Sequence, residues 1–325
     1  MSDILIKRNH MEIPWHNYVS TRNSQPITEA ASLIGRTGMM LLSCGTGAWR
    51  VRSSMNTLSE ALGITCSADI GLMSISYTCF DGESSFSHAL SLTTTGVNTS
   101  RLNRLEHFVS DFPAEGIHMS GEALHSQLDE IERIHGLYSP AALGLASALA
   151  CGAFTFLLGG GPLEMILAFA GAGIGNAIRC KLGKHHFTLF MCIAVSVSSA
   201  CLVYAGFLKL AELLFHISVQ HEAGYICSML FIIPGFPFIT SGIDLAKLDM
   251  RSGLERLAYA IIVVMVAAVS AWLMALLLHL KPVDFLPLKL SAAQRILFRL
   301  LASFCGVFGF SVMFNSPFRL AAAAA

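Results

Sequence analysis

The residues best suited to chemistry lie in one apolar segment with two prolines, two glycines and an acid, IPGFPFITSGIDL (233–245). Prolines lack a backbone donor and break helices, and carbonyl groups freed at membrane depth are tolerated only where protein or a watery cavity satisfies them. Broken helices of this kind build substrate sites in membrane transporters. Asp244 could bind a substrate amine or carry a proton there, or it could mark the cytoplasmic boundary and pair with Lys247. The candidate residues for a substrate or proton pathway are Pro234, Gly235, Pro237, Thr240, Ser241, Gly242 and Asp244.

Two other patterns do not amount to a site. Gly45-Thr-Gly47 looks like part of a phosphate loop, but the full glycine fingerprint and a following Lys-Ser/Thr pair are absent. Several histidines of the first 139 residues show no metal-ligand spacing such as HExxH, namely His88, His107, His118, His125 and His135. We interpret them as surface histidines on helices, and we expect no catalytic residue, no metal and no cofactor.

The composition is too apolar for an ordinary soluble protein of 325 residues, because 54% of them are hydrophobic and only 13% are charged. Charged residues crowd into positions 1–139, which predicts a water-soluble domain joined to a membrane domain. A formal net charge of zero argues against a nucleic-acid partner, which requires a concentrated basic face. Nine cysteines without CxxC pairing are interpreted as free thiols, and no cleaved signal peptide is visible. The soluble part is therefore expected in the cytoplasm.

Within the first part of the chain, residues 1–27 form a polar tail and residues 28–139 an α+β domain. A helical apolar spacing begins at Thr28 and is interrupted by SCGTGA (43–48), and a β-rich stretch with a hairpin signal at Asp81-Gly82 predicts a small sheet. The predicted elements are helices over 28–41, 51–62, 101–112 and 121–135, and strands over 64–80 and from 83 to about 95.

From Pro140 onward, six apolar runs approach or exceed the roughly 20 residues that cross a bilayer: 140–158, 162–178, 187–208, 223–241, 257–280 and 296–314. Lys and Arg in the links after the second and fourth runs place those links inside, and the fifth link is a mild exception. Small residues recur in the first three runs, and they indicate tight helix packing or, alternatively, the polar lining of a pathway. Glu164 and Arg179 are interpreted as interface residues.

Three segments resemble the bacterial threonine/serine exporter family, which includes split, two-chain members such as the succinate exporters. They are SCGTGAWRVRSSMNTLSEALGI (43–64), PGFPFITSGIDL (234–245) and CGVFGFSVMFNSPFRL (305–320). The resemblance implies a cytoplasmic N-terminal domain, a five-helix transmembrane domain at 140–280, and a link with the first helix of a second membrane half at 281–325. The chain ends where the family would continue, so a second membrane subunit or a missing C-terminal half is expected, with a homo-oligomer left open.

Fold and function are thus predicted together. We expect a multi-pass α-helical membrane protein of the bacterial inner membrane, with an N-terminal α+β cytoplasmic domain and partners that are a small polar metabolite and the lipid bilayer. The resemblance implies a secondary transporter, not an enzyme, that exports threonine, serine or a small dicarboxylate under the proton motive force. The alternative is a membrane-anchored enzyme or sensor that acts through the cytoplasmic domain.

Overall fold

A computed structural model describes residues 13–18, 26–134, 136–216, 222–280, 285 and 288–325. The chain is mostly helical, with one small sheet near the N-terminus. Its described residues divide into two compact units. The N-terminal unit holds the described residues between 8 and 136 together with 235–260, and the helical unit holds those in 137–234 and 261–325. The predicted domains at 1–27, 28–139, 140–280 and 281–325 remain predictions, and His135 lies outside the described residues.

Among its described residues before 136, the N-terminal unit contains a three-stranded sheet and four α-helices. The helices are α1 (Pro26–Ser43), α2 (Ala48–Ala61), α3 (Thr99–Asp111) and α4 (Gly121–Glu132). Asn98 caps α3 by accepting from the Arg101 amide at 3.1 Å, and the Ser120 hydroxyl accepts from Ala123 at 3.3 Å at the start of α4. Such caps satisfy amides that lack an intrahelical partner. The α1 helix is buried along most of its length, which makes it the centre of this unit.

The sheet is an antiparallel meander of β1 (Thr65–Ile70), β2 (Ser74–Phe80) and β3 (Ser85–Ser91). The single strand predicted over 64–80 was wrong, because the chain turns at Gly71, whose amide donates to the Ser74 carbonyl at 2.8 Å. Alternate residues of β2 face α1, and the Tyr77 hydroxyl donates to the Ala31 carbonyl at 2.9 Å. Gly35 permits this contact, since a Cβ there would lie 2.2 Å from the Tyr77 Oη.

His125 corrects the interpretation of the histidines as surface residues, because its side chain is buried between α1 and α4. Arg36 donates to its Nδ1 at 3.3 Å and to its carbonyl oxygen at 3.1 Å, and Ser32 lies 3.3 Å from its Nε2. Arg36 also pairs with Asp129 and Glu132. Burial first, and then the neighbouring Arg36, lower the pKa of His125 to about 4.

The helical unit contains most of the long apolar helices. In chain order the remaining helices are α5 (Pro140–Leu157), α6 (Pro162–Lys184), α7 (Leu189–Phe215), α8 (Gly235–Ala246), α9 (Met250–Leu277), α10 (Ala292–Met313) and α11 (Phe318–Ala324). Among the described residues, five helices are long and apolar enough to cross a membrane: α5, α6, α7, α9 and α10. The fourth of the six predicted spans, 223–241, is not one continuous helix, because short 3₁₀ turns end at Ile232 and α8 begins only at Gly235.

Small residues bring the helices of this unit into close contact, as their recurrence predicted. A Cβ at Gly144 would lie 2.8 Å from the Gly173 carbonyl oxygen of α6, and one at Gly171 would lie 2.8 Å from the Ala200 carbonyl oxygen of α7. On the other side of α5, a Cβ at Gly309 would lie 2.5 Å from the Ala146 carbonyl oxygen. These glycines therefore serve helix packing, which favours the first of the two interpretations of the small residues.

Candidate functional site

The candidate site begins at the predicted break, which the structure contains. A 3₁₀ helix ends at Ile232, Pro234 follows, and α8 begins at Gly235. Pro237 occupies the first turn of α8, where its missing N–H costs no intrahelical hydrogen bond. Nothing lies within 4 Å of a Cβ built at Gly235 or Gly242, so neither glycine is required by close packing.

The polar side chains of α8 serve its local structure. Thr240 donates to the Phe236 carbonyl oxygen at 3.0 Å, one turn back in its own helix. Ser241 donates to the Gly253 carbonyl oxygen of α9 at 2.7 Å, and it is buried. Both side chains therefore have intramolecular partners, and the Ser241 bond joins α8 to α9.

Asp244 is the most enclosed of the predicted site residues, with an exposed fraction of 0%. Its Oδ2 accepts from the Ser252 hydroxyl at 2.9 Å and from the Ala48 amide at 3.2 Å, and it lies 3.2 Å from Arg256 Nε. Its Oδ1 has no hydrogen-bond partner among the described residues. The carboxylate therefore belongs to a buried ion pair and also caps α2, whose own N-cap residue, Gly47, carries no side chain.

Arg256 completes this arrangement from the first turns of α9. Its guanidinium donates to the Gly45 carbonyl oxygen at 3.0 Å and to the Thr46 carbonyl oxygen at 2.6 Å, and its exposed fraction is 2%. The pair thus contacts the turn between α1 and α2 at two places: Asp244 at the Ala48 amide, and Arg256 at the Gly45 and Thr46 carbonyl oxygens. We call this turn and pair the clamp, defined as Gly45–Ala48, Asp244, Ser252 and Arg256.

The clamp explains the Gly-Thr-Gly sequence that resembled a phosphate loop. Gly45 has a φ of +81°, which disfavours any residue with a Cβ. A Cβ at Gly47 would lie 2.7 Å from Asp244 Oδ1 and 3.0 Å from the Trp49 ring. The first glycine is thus required by the backbone, and the second by the close approach of the carboxylate.

Further ionic contacts hold the α8–α9 connection to the same unit. Arg52 pairs with Asp249, and Arg251 pairs with Asp69. Glu255 accepts from the Leu72 amide at 2.6 Å. The alternative pairing of Asp244 with Lys247 is not found, because the Lys247 ammonium lies 4.4 Å from the centre of the Trp49 ring. Two of the three resemblance motifs, 43–64 and 234–245, therefore meet in one cluster of contacts.

The sequence matches the family model ThrE, "Putative threonine/serine exporter", over residues 32–279. That range is well over half of the chain, and it includes the clamp, α8 and α9. The chain belongs to the threonine/serine exporter family. No curated protein and no solved structure matches it. Family membership confirms the resemblance and indicates a membrane-embedded transporter that exports threonine or serine, whereas the relation to split, two-chain exporters remains a prediction.

Sequence reasoning did not assign a role to Arg256 or Ser252 in this exporter. Arg256 counted only as a positive charge in the fourth link, although it lies at the start of a long apolar helix. An i, i+4 pair of Ser252 and Arg256 on α9 faces Asp244, and Arg256 Nε donates to the Ser252 hydroxyl at 3.1 Å. That spacing in the sequence was the available signal. In the part of the chain that the structure describes, no group of three metal-ligating side chains is found.

Proposed function

We propose that this chain exports threonine and serine across the bacterial inner membrane as a secondary transporter driven by the proton motive force. The family match over residues 32–279 carries the proposal. The five apolar helices supply the membrane-spanning part. The N-terminal α+β part is cytoplasmic in this proposal.

The break at Pro234 and Gly235 is the proposed place of the substrate pathway. Backbone groups at the start of α8 lack intrahelical partners, and amides at a helix N-terminus attract anionic groups such as the carboxylate of an amino acid. At about 1.5 Å per residue, the 12 residues of α8 cover about 18 Å, well short of a hydrocarbon core of about 30 Å. A crossing here therefore has to include the 3₁₀ helix that ends at Ile232, together with Pro234, before Gly235.

Asp244 enters the proposal as a proton-binding group and not as a contact for the substrate. It has no exposed surface, and one of its oxygens has no partner among the described residues. Protonation would weaken its attraction to Arg256 and the cap on α2. This step would link proton binding at the inner end of α8 to the conformation of the clamp.

Transport is tested with the purified full chain in proteoliposomes that are loaded with labelled threonine, serine or succinate, with and without an imposed pH gradient. We expect efflux of threonine and serine, and we expect the pH gradient to accelerate it. Release of succinate should not exceed the release from protein-free liposomes. Compared at equal amounts of folded protein in the liposomes, Asp244→Asn should still exchange threonine without a gradient, but a gradient should no longer accelerate its efflux. Asp69→Asn, in an exposed ion pair, is the matched control and should behave as the unsubstituted chain.

Each result bears on a separate part of the proposal. Efflux of succinate alone would overturn the substrate class, and gradient-accelerated efflux by Asp244→Asn would remove Asp244 from proton coupling. We also propose that a second membrane half takes part, because residues 305–320, which begin in α10 and lie outside the family match, resemble the first helix of such a half. Efflux by the chain alone at the rate found with a co-expressed second half would contradict that part.

A further inference from the structure

Two cysteines face each other across the sheet of the N-terminal unit and take no part in the clamp. Cys66 lies in β1 and Cys79 in β2, and the antiparallel register makes them direct partners. Side chains of direct partners point to the same face of a sheet. Here that face is the one that packs on the core of the unit, and both cysteines are free thiols.

The hydrogen bonds of the ladder make this a close pair. The Gly71 amide donates to the Ser74 carbonyl oxygen at 2.8 Å, so these two residues form a hydrogen-bonded pair at the turn. Hydrogen-bonded and non-hydrogen-bonded pairs alternate along an antiparallel ladder, and Cys66 lies five residues before Gly71. Cys66 and Cys79 therefore form a non-hydrogen-bonded pair, the type in which side chains approach each other most closely.

The backbone of this pair fits a disulfide. The Cα atoms of a non-hydrogen-bonded pair lie about 4.5 Å apart, and disulfides join residues whose Cα atoms are about 4.4–6.8 Å apart. A bond between Cys66 and Cys79 would therefore need little movement of β1 or β2. Packing alone does not explain two thiols at these positions, because alanine or valine would fill them without a reactive group.

The two thiols differ in access and in reactivity. Cys66 is half-buried, whereas Cys79 has an exposed fraction of 0%. Interaction with the Cys79 thiol lowers the pKa of Cys66, and the same interaction together with burial raises the pKa of Cys79. Burial also raises the pKa of Cys44, in the core of the same unit, to about 11. Because the thiolate is the nucleophile, Cys66 is the thiol that reacts first.

We propose that Cys66 and Cys79 are a reversible redox modification site, which a low-molecular-weight disulfide such as oxidised glutathione converts into a cross-strand disulfide. The Cys66 thiolate attacks one sulfur of the reagent, whose S–S bond breaks, and the thiolate that leaves takes up the proton that Cys66 released. The Cys79 thiol then gives up its proton and attacks Cys66 Sγ, which releases the second glutathione as a thiol. Two cysteine thiols are thus oxidised, and one disulfide is reduced to two thiols.

The site itself does not depend on the proposed function, and only its cytoplasmic setting does. Cytoplasmic thiols keep such a pair reduced, so the disulfide would form there when the proportion of oxidised glutathione rises. The bond would then tie β1 to β2 next to α2, which packs against β1.

Oxidation is measured on the full chain in detergent, after equilibration with mixtures of reduced and oxidised glutathione. The reaction is quenched with acid, free thiols are alkylated in denaturant, and the chain is digested with trypsin. One tryptic peptide, residues 53–101, contains Cys66 and Cys79 and no other cysteine. We expect this peptide to appear without label and lighter by two hydrogen atoms, and dithiothreitol should restore the doubly labelled form.

Folding should favour the bond. The equilibrium constant for forming the disulfide should be about tenfold or more larger in the folded chain than in the chain unfolded in guanidinium chloride, because the strand register holds the two thiols together. A pair of thiols that only fill space would show no such preference.

Single variants separate the roles of the two thiols. Cys79→Ala should keep glutathione on Cys66 as a mixed disulfide, because no second thiol displaces it. Cys66→Ala should leave Cys79 unmodified in the folded chain, since Cys79 is buried. Cys180→Ala, at a half-buried cysteine of α6, is the matched control and should form the cross-strand disulfide as the unsubstituted chain does.

Three results on the unsubstituted chain would overturn the assignment: no disulfide within peptide 53–101 at any glutathione ratio, equal equilibrium constants in the folded and unfolded chains, or glutathione that stays on Cys66. None of them depends on how the variants fold. Efflux is not measured here, so a failure of the proposed transport function would leave these results unchanged.

Discussion

At the scale of single residues, Asp244 is the partner of three groups in the clamp: the Ala48 amide, the Ser252 hydroxyl and the Arg256 guanidinium. Asp244 and Arg256 have exposed side-chain fractions of 0% and 3%, and the remaining donors of Arg256 bind backbone carbonyl oxygens. A buried pair adds little stability over an apolar pair, but removal of one member leaves an uncompensated charge. The physical role that the geometry gives to these residues is therefore the positioning of the α1–α2 turn on α8 and α9.

We predict that Asp244→Asn destabilises the N-terminal unit strongly, by about 3–5 kcal/mol, because Arg256 stays buried without a counter-charge. Thermal unfolding of the full chain in detergent, followed by tryptophan fluorescence, measures this change. The control is Asp69→Asn, whose pair with Arg251 is exposed and should matter by less than about 1 kcal/mol.

A double variant distinguishes lost charge balance from general misfolding. Asp244→Asn combined with Arg256→Gln removes both charges, and it should recover part of the stability that the single variant loses. A double variant less stable than Asp244→Asn would contradict this account of the pair.

At the scale of elements, close helix contacts and one buried histidine give the clearest expectations. The α10 helix approaches α5 through Gly306 and Gly309, and a Cβ at Gly306 would lie 2.8 Å from the Phe154 ring. In the N-terminal unit, His125 receives a hydrogen bond from Arg36 on its Nδ1, an arrangement that requires a neutral imidazole. Each contact joins two helices, so its loss should weaken the packing of those helices against each other.

Gly309→Ala should destabilise the contact between α5 and α10 by about 1–3 kcal/mol, because the added methyl group meets the Ala146 backbone. Gly206→Ala is the matched control, since Gly206 also lies inside a long apolar helix and nothing lies within 4 Å of its built Cβ. Thermal unfolding in detergent compares the two variants. Equal unfolding temperatures would contradict the close approach of α10.

Acid should destabilise the packing of α1 on α4 through His125. Its pKa falls from 6.5 to about 4 on folding, so between these pH values the unfolded chain binds a proton that the folded chain does not. Stability is therefore full above pH 6.5 and decreases as the pH falls toward 4, by at most about 3 kcal/mol. The measurement is the unfolding temperature of the full chain across that range. His125→Gln should show a weaker dependence, and His118→Gln, at an exposed position, should match the unsubstituted chain.

At the scale of the whole molecule, the positive links predict which segments face the cytoplasm. Single cysteines introduced at Ser126 and Lys184 should react with an impermeant thiol reagent only in inside-out vesicles, and one at Leu158 only in right-side-out vesicles. All three positions are exposed. The background should lack the nine native cysteines. Labelling of Ser126→Cys in right-side-out vesicles would place the N-terminal unit outside and contradict the proposed orientation.

Much of the fold was predictable because it depends on local patterns. Apolar runs of sufficient length predicted α5, α6, α7, α9 and α10, and the interruption at 43–48 separated α1 from α2. The run 223–241 is apolar enough for a span but is not one continuous helix, because Pro234 divides it at the break that the two prolines predicted. The single strand predicted over 64–80 is two strands, because β-propensity does not reveal the turn at Gly71.

The sequence by itself determined that the chain needs a membrane, where most of its long helices lie, and which family it resembles. Composition and periodicity are properties of short segments, and they hold in any arrangement of those segments. Only the tertiary structure decided that Asp244 pairs with Arg256 and not with Lys247, and that both hold a turn about 200 residues earlier. Pairing and burial arise from contacts between distant segments, and a single sequence contains no record of those contacts.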